Sequence, residues 1–381
     1  MVNNIRLIYV EHVRRKRSRT KQHYDTWLLG GLCYINKIDE IIVLASDLNI
    51  PPLCDKIKML IVDSTNFLPR FLGLILRSKK NNSIIHIHYE LSRYDIDALL
   101  QLIISMFIIK YVLRCRIVFS FYNPFFDPLK YKEYLALLLD EEEEYKIRIA
   151  RIMLVLFYRL ISRLSDIVVV HAKCFREFLR LLGIRNIIVL PHGYVKPECR
   201  KDDGKYIIVY GVISRRKRLE YILENYLRSP IDIPLLIVGG PSKADYKYFL
   251  NLYRLYQGRK GVRFLGFVPD EILDTLLYKA KVIILSQPLA VTPSGTLTQI
   301  TKYCKPVLVP ESNVYFKEYV PEESLVDFEH ESLSDVIRNY NRLQKIVRKI
   351  VNRAKLECFN NIARLYAKLY EHLLRVKNTN R

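Results

Sequence analysis

The stretch YIIVYGVISRRKRLEYILENYL, residues 206–227, decides how this chain folds. Tyr206–Tyr210 is an unbroken run of β-branched and aromatic residues, the pattern of a strand buried on both faces. Gly211 ends the run, the cations Arg215, Arg216, Lys217 and Arg218 follow, and a helical pattern begins at Leu219. Strand, glycine turn and helix in that order form the repeating unit of an open parallel sheet.

The same alternation extends in both directions. Apolar runs at 5–10, 41–45, 59–62, 84–88, 117–121, 167–170 and 187–190 precede it, and runs at 235–238, 262–265, 282–285 and 306–309 follow. They predict an α/β chain of Rossmann-like, doubly wound domains. VKPECRKDDGK, residues 195–205, has proline, charge and glycine but no period, which marks a linker over 193–204. An N-terminal domain over 1–192 and a C-terminal domain over 205–355 follow from that break. Residues 333–376 read as helix throughout, with 356–381 as a terminal helix that packs back on the N-terminal domain.

Composition bounds the partners. The 381 residues carry 61 Lys and Arg against 39 Asp and Glu, a formal net charge of +22. Half are apolar, which excludes a disordered basic tail. Such a charge favours nucleic acid, an acidic membrane surface or a phosphorylated ligand. No nucleic-acid module accompanies it, so nucleic acid is the weakest of the three. The longest uncharged apolar stretch, 98–109, is shorter than the ~20 residues that span a bilayer. Asn3, Asn4 and the strand-like run after them read as the start of a strand, and no secretory signal is expected there. Its seven cysteines are scattered, with no C-x-x-C pair, so the expectation is thiols without a disulfide framework in a reducing, cytoplasmic compartment. The acidic run at 140–144, and Asp95 with Asp97, read as helix starts rather than metal ligands.

Chemistry concentrates in the loops after the second-half strands. Gly211 with Arg215, Arg216 and Lys217 forms a candidate diphosphate grip, in which cations neutralise phosphate oxygens. Gly239-Gly240-Pro241 permits close backbone approach. Ser294, Gly295 and Thr296 stand at a helix start, where amides form an anion site and Ser294 also serves as a cap.

These features, with IIHIH (84–88), RLSDIVVVHAKCFREFLRLLGIRNIIVLPHGY (163–194), LLIVGGP (235–241), VRFLGFVPDEIL (262–273) and SGTLTQITKYCKPVLV (294–309), resemble the GT-B glycosyltransferases. The order and spacing are similar to those of glycosyltransferase family 4, the large retaining, nucleotide-sugar-dependent group. That resemblance implies two Rossmann-like domains facing across a cleft, the first for the acceptor and the second for the donor. It implies that Lys217 contacts the donor diphosphate with Arg215 or Arg216, although Val212 stands where the family has an arginine. Phe267 and Val268 would lie near the base and Gly239 near the nucleoside. The family's Glu-x7-Glu falls on Val291 and Gln299, leaving a glutamine amide for the ribose; Ser294-Gly295 resembles branches without the first glutamate. The family's Thr-x-His falls on Ser120 and Tyr122, which makes Tyr122 a catalytic candidate beside Lys217 and Arg216.

The implied activity is transfer of a sugar from a UDP- or GDP-linked donor, a glycosyltransferase of class EC 2.4 with no cofactor and no metal. The acceptor would be a glycan, lipid or protein, and a phosphorylated one suits the cations Arg14, Arg15, Lys16 and Arg17 after the first strand. His88 is placed on the acceptor side, while a packed core role is favoured for one of His86 and His88. Peripheral contact with the inner face of a membrane is a further expectation, from helices 98–112 and 146–163 that mix apolar residues with cations. For those helices, ordinary packing on the sheet is the stronger expectation. A catalytically degenerate GT-B binding protein and a basic nucleic-acid-binding protein are the alternatives.

Overall fold

A computed structural model describes residues 4–12, 23–45, 53–62, 66–77, 82–90, 96–122, 143–200, 204–229, 231–241, 244–289 and 293–379. The chain divides into two compact units. One comprises Met1–His192 with Phe359–Arg381, the other Gly193–Ala290 with Ser294–Cys358.

The first unit holds a seven-stranded parallel sheet in the order β3-β2-β1-β4-β5-β6-β7. Its strands are β1 (Ile5–His12), β2 (Ile38–Ala45), β3 (Ile57–Ile61), β4 (Ser83–Tyr89), β5 (Arg116–Phe121), β6 (Ile167–Val170) and β7 (Ile187–Val189). The helices that cover it are α1 (His23–Cys33), α2 (Phe67–Arg77), α3 (Ile96–Phe107), α4 (Glu144–Leu164) and α5 (Lys173–Leu181). A π-helical turn, Ile108–Val112, extends α3. Every residue of β4 is buried, which is why its sequence shows no polar alternation.

The second unit holds a six-stranded parallel sheet in the order β10-β9-β8-β11-β12-β13. Its strands are β8 (Tyr206–Tyr210), β9 (Leu235–Val238), β10 (Val262–Gly266), β11 (Ala280–Ile284), β12 (Val307–Pro310) and β13 (Leu325–Val326). Helices α6 (Leu219–Arg228), α7 (Tyr246–Tyr256), α8 (Asp270–Tyr278), α9 (Gly295–Ile300) and α10 (Val314–Tyr319) connect them, followed by α11 (Leu333–Arg338) and α12 (Tyr340–Leu356). The last helix, α13 (Phe359–Thr379), belongs to the first unit.

Twelve of these strands coincide with sequence-predicted runs, and β13 does not, because two residues carry no period. Three further expectations are corrected. The continuous helix over 333–376 is three helices. Asn339 ends α11 and caps α12, its Oδ1 accepting from Arg342 N at 3.0 Å, and Glu357 and Cys358 separate α12 from α13. The 193–204 linker is structured from its start: Val195 N donates to Thr298 O at 3.2 Å and Glu198 N to Lys302 O at 2.7 Å, fixing it to the second unit.

The third correction concerns sulfur. Cys33 pairs with Cys54 and Cys199 with Cys304, at Cα separations of 6.2 Å and 5.2 Å. Sequence spacing missed both because the partners are 21 and 105 residues apart and meet only in the fold. Cysteine spacing therefore gives no ground for a reducing compartment. Among the described residues no helix is long and apolar enough to cross a membrane.

Helix α13 packs on α1 at very short range. A Cβ on Gly31 would lie 2.9 Å from both Ala363 Cβ and the Phe359 carbonyl oxygen, so that crossing requires glycine.

Closing a loop of ~100 residues by a disulfide restricts the unfolded chain by about 4.7 kcal/mol. Thiol titration of the denatured, unreduced protein is therefore expected to find three of the seven cysteines, with all seven appearing after reduction. Reduction is expected to lower the midpoint of thermal unfolding, and an unchanged midpoint with seven thiols at the start would contradict both pairs.

Candidate functional site

In an open parallel sheet the carboxyl ends of two strands diverge where strand order reverses, and ligands bind there. In the second unit that reversal lies between β8 and β11. The loops after those strands, and after neighbouring β9 and β10, bring most of the sequence-predicted donor residues together.

Gly211 leaves β8 with φ +123° and Gly239 leaves β9 with φ +134°. A Cβ on Gly239 would fall 2.1 Å from the Gly211 carbonyl oxygen, so two backbones touch where no side chain fits. Gly211 N donates to Val238 O at 3.0 Å, and Gly239 N to Gly266 O at 2.8 Å. Three strand ends are thus tied into one platform. Phe267 follows Gly266 and is 88% exposed, with its Cβ 3.9 Å from where Gly240 would carry one. Val268, next in sequence, is half-buried.

Lys217 ends a short 3-10 turn, Arg215–Lys217, and folds back over the platform. Its Nζ sits 2.6 Å from the position of a Gly211 Cβ, and Thr296 Oγ1 lies 3.5 Å from the same point. Part of the side chain is exposed, yet the ammonium is withdrawn from water. Burial, then the neighbouring Arg216 charge, lowers the Lys217 pKa to about 8. Among the described residues no carboxylate pairs with it. A desolvated cation without an acid is costly unless an anion completes it.

The remaining donor candidates divide. Ser294 Oγ accepts from Leu297 N at 3.0 Å, so its hydroxyl is used as the cap of α9, while Gly295 is the exposed first residue of that helix. Gln299 Oε1 accepts from Tyr210 OH at 3.1 Å, which sets the glutamine at the end of β8. Arg216 is exposed. Arg215 is held to one side, its backbone N donating to Asp245 Oδ1 at 3.1 Å. The first-glutamate position, Val291, lies outside the described residues.

The first unit carries a second polar constellation at its own reversal, between β1 and β4. The cation run there, with Arg14, Arg15, Lys16 and Arg17, lies outside the described residues. His88 is buried rather than exposed, and its Nδ1 is 2.5 Å from Asp25 Oδ1, which also accepts from Tyr9 OH at 2.5 Å. His86 hydrogen bonds to Ser120 Oγ and Tyr370 OH, both at 2.7 Å. Burial, then the nearby His88, holds the His86 pKa well below the ordinary imidazole value, so it stays neutral.

Tyr122, the catalytic candidate of this unit, is buried with its hydroxyl 2.9 Å from His192 Nε2. Its ring lies 5.3 Å from His88 and 5.2 Å from His192, and the Tyr24 ring is tilted against His192 at 4.5 Å. His171 completes the cluster 5.5 Å from His192, its pKa lowered to about 3 by burial and then by His88. Sequence reasoning missed Asp25, His171 and His192. Two of them had a visible signal: His171 directly follows β6 and His192 comes shortly after β7, so parallel pairing puts both at the edge where β4 delivers His88. Asp25 comes from a helix face and had none.

Gly239→Ala is expected to destabilise the protein by about 3 kcal/mol or more through backbone overlap and strain. Gly73→Ala is the control. It lies inside α2 with nothing within 4 Å, so it should stabilise by about 0.5–1 kcal/mol. Equal unfolding midpoints for the two variants would refute the platform.

No curated protein matches the sequence. Among solved structures the chain is similar to Anabaena Alr3699/HepE in complex with UDP, at TM-score 0.66 and 12% identity over 97% of this chain and 100% of that one. Sucrose-phosphate synthase from Thermosynechococcus elongatus matches at 0.65 and 17%, over 98% and 100%. A glycosyltransferase from Rickettsia africae ESF-5 matches at 0.64 and 13%, over 98% and 99%. These likenesses, with the two parallel-sheet units, establish a two-domain, Rossmann-like GT-B fold. Residues 195–357, nearly the whole second unit, match the family of glycosyl transferases group 1.

Proposed function

We propose that this protein is a glycosyltransferase that moves a sugar from a UDP- or GDP-linked donor to an acceptor, with retention and without a metal or other cofactor. The observation that carries the reading is the Lys217 ammonium, folded over Gly211 with a pKa of about 8 and no carboxylate partner among the described residues. A diphosphate supplies the missing charge. The family match over residues 195–357 supports it, as does the fold shared with HepE, whose structures include UDP and UDP-glucose complexes.

In this reading the second unit does the electrostatic work. As the bond from sugar to phosphate breaks, negative charge grows on the departing phosphate oxygen, and a preorganised cation stabilises it. Lys217 provides that cation, Arg216 adds a second, and the Gly211 and Gly239 backbones give the phosphates room. Phe267 offers a face for the base, and the Gln299 amide, already accepting from Tyr210, retains N–H donors for the ribose. Tyr122 is the proton-bearing group of the first unit, oriented by His192. Hexosyl transfer, membership of family 4 and a phosphorylated acceptor are parts of the same proposal.

A catalytically degenerate binding protein is the second reading. Both family glutamates are replaced, by Val291 and Gln299, and the Tyr122 hydroxyl is already engaged. Hydrolysis of a nucleotide sugar separates the two, since a degenerate protein binds the nucleotide without turning the sugar over.

UDP or GDP is expected to raise the unfolding temperature, and no shift with any nucleoside diphosphate would refute the donor site. Lys217→Ala should weaken diphosphate binding about 10- to 100-fold, the worth of one charge-assisted hydrogen bond.

The pH dependence has a definite sign. A bound anion raises the Lys217 pKa above its free value of about 8, so binding takes up a proton where the free lysine is neutral. Calorimetric titration should give a Kd independent of Lys217 ionisation below pH 8. Above it, affinity should fall by up to about tenfold per pH unit, and Lys217→Arg should remove that fall.

A further inference from the structure

Helix α4 is apolar on two opposite sides. Ile147, Tyr158, Ile161 and Leu164 are buried. The other side presents Ile149, Ile152, Met153, Leu156 and Leu160 to solvent, with Ile152 59% and Leu156 55% exposed. One apolar stripe suffices to hold a helix on a sheet. The second stripe continues onto the neighbouring helix, since α3 packs against α4 and exposes Ile104, Phe107 and, in its π-helical extension, Tyr111 and Val112. Scattered exposed apolar residues are ordinary in a soluble protein, whereas a contiguous set on two adjoining helices marks an interaction surface.

Charge identifies what the surface meets. Helix α4 carries five cations, Lys146, Arg148, Arg151, Arg159 and Arg163, against one acid, Glu144, which pairs with Arg148 at 3.1 Å. Arg148 and Arg163 are exposed beside the apolar stripe. A second copy of the chain would bring the same arginines face to face, and a chain of net charge +22 already repels itself. Apolar side chains edged by arginine, with Tyr145 and Tyr111 exposed at the margins, match instead the layer where acyl chains meet anionic headgroups. No described helix is long and apolar enough to span a bilayer, so this one lies along it.

We propose that the outward faces of α3 and α4 form a docking surface for an anionic lipid membrane. The proposal stands apart from the glycosyltransferase reading, because it concerns only the first unit and requires no turnover.

Flotation of the full chain with vesicles tests it. Binding is expected to phosphatidylcholine vesicles containing a one-third share of phosphatidylglycerol, and at least tenfold less to phosphatidylcholine alone. The double variant Ile152→Glu, Leu156→Glu should lose at least tenfold in partitioning. Arg148→Glu with Arg163→Glu should abolish the preference for phosphatidylglycerol. All four positions are exposed, and the Arg148–Glu144 pair that one variant breaks is a solvent-exposed one of little worth, so unfolding temperature and nucleotide response should stay close to the parent. Failure of the parent chain to float with anionic vesicles overturns the proposal. So does a concentration-dependent dimer in sedimentation that Ile152→Glu, Leu156→Glu disperses, or equal flotation of that variant and its parent.

Discussion

The contact on which the candidate donor site depends is between two backbones: the carbonyl oxygen of Gly211 fills the space where Gly239 would carry a Cβ. Glycine at both turns lets β8 and β9 release their chains side by side, and Gly266 extends the arrangement to β10 through the Gly239 N–H. The result is a surface almost free of side chains at the carboxyl edge of a parallel sheet. Lys217 is then the only ammonium that folds over Gly211 among the described residues, and its burial against backbone keeps it poorly solvated. Close backbone packing and a depressed lysine pKa are thus one feature seen from two sides.

The first unit solves a different problem. Its sheet buries Asp25, His86, His88, His171 and His192 near one edge, a heavy load of polar groups for an interior. Specific hydrogen bonds offset part of that cost: Asp25 takes Tyr9 and His88, His86 bridges Ser120 and Tyr370, and His192 meets Tyr122. Burial keeps His86 and His171 neutral, so the cluster does not accumulate positive charge. Such a network orients the Tyr122 hydroxyl more firmly than apolar packing would.

Much of the candidate donor site's layout was legible because it is local. Gly211, Lys217 and the strand before them lie within a dozen residues, and a glycine with clustered cations at a strand end suits an anion wherever the rest of the chain goes. Gly239 and Thr296 were readable as a tight turn and a helix start after the next strands, whereas Phe267 came only from the family resemblance. Arg215 was legible only as a charge; that Asp245 holds it aside depends on a helix 30 residues away. The histidines show the opposite limit. IIHIH announces two buried imidazoles, but which of them meets a carboxylate depends on α1 crossing β4, and nothing in the strand encodes that.

What the sequence by itself determined was periodic or local: two sets of parallel strands, the glycine turns, the cations that follow Gly211 and the excess of positive charge. Side chains two or four residues apart in a strand share a face whatever the rest of the chain does, so those readings survive into the structure. The tertiary structure alone decided which distant groups meet, from the pairings Cys33–Cys54 and Cys199–Cys304 to the joining of Asp25 with His88. It also decided that the apolar residues of α4 have two addresses, one on the sheet and one in solvent. The pattern of a helix records which residues are apolar, and only the position of its neighbours determines which of them are covered.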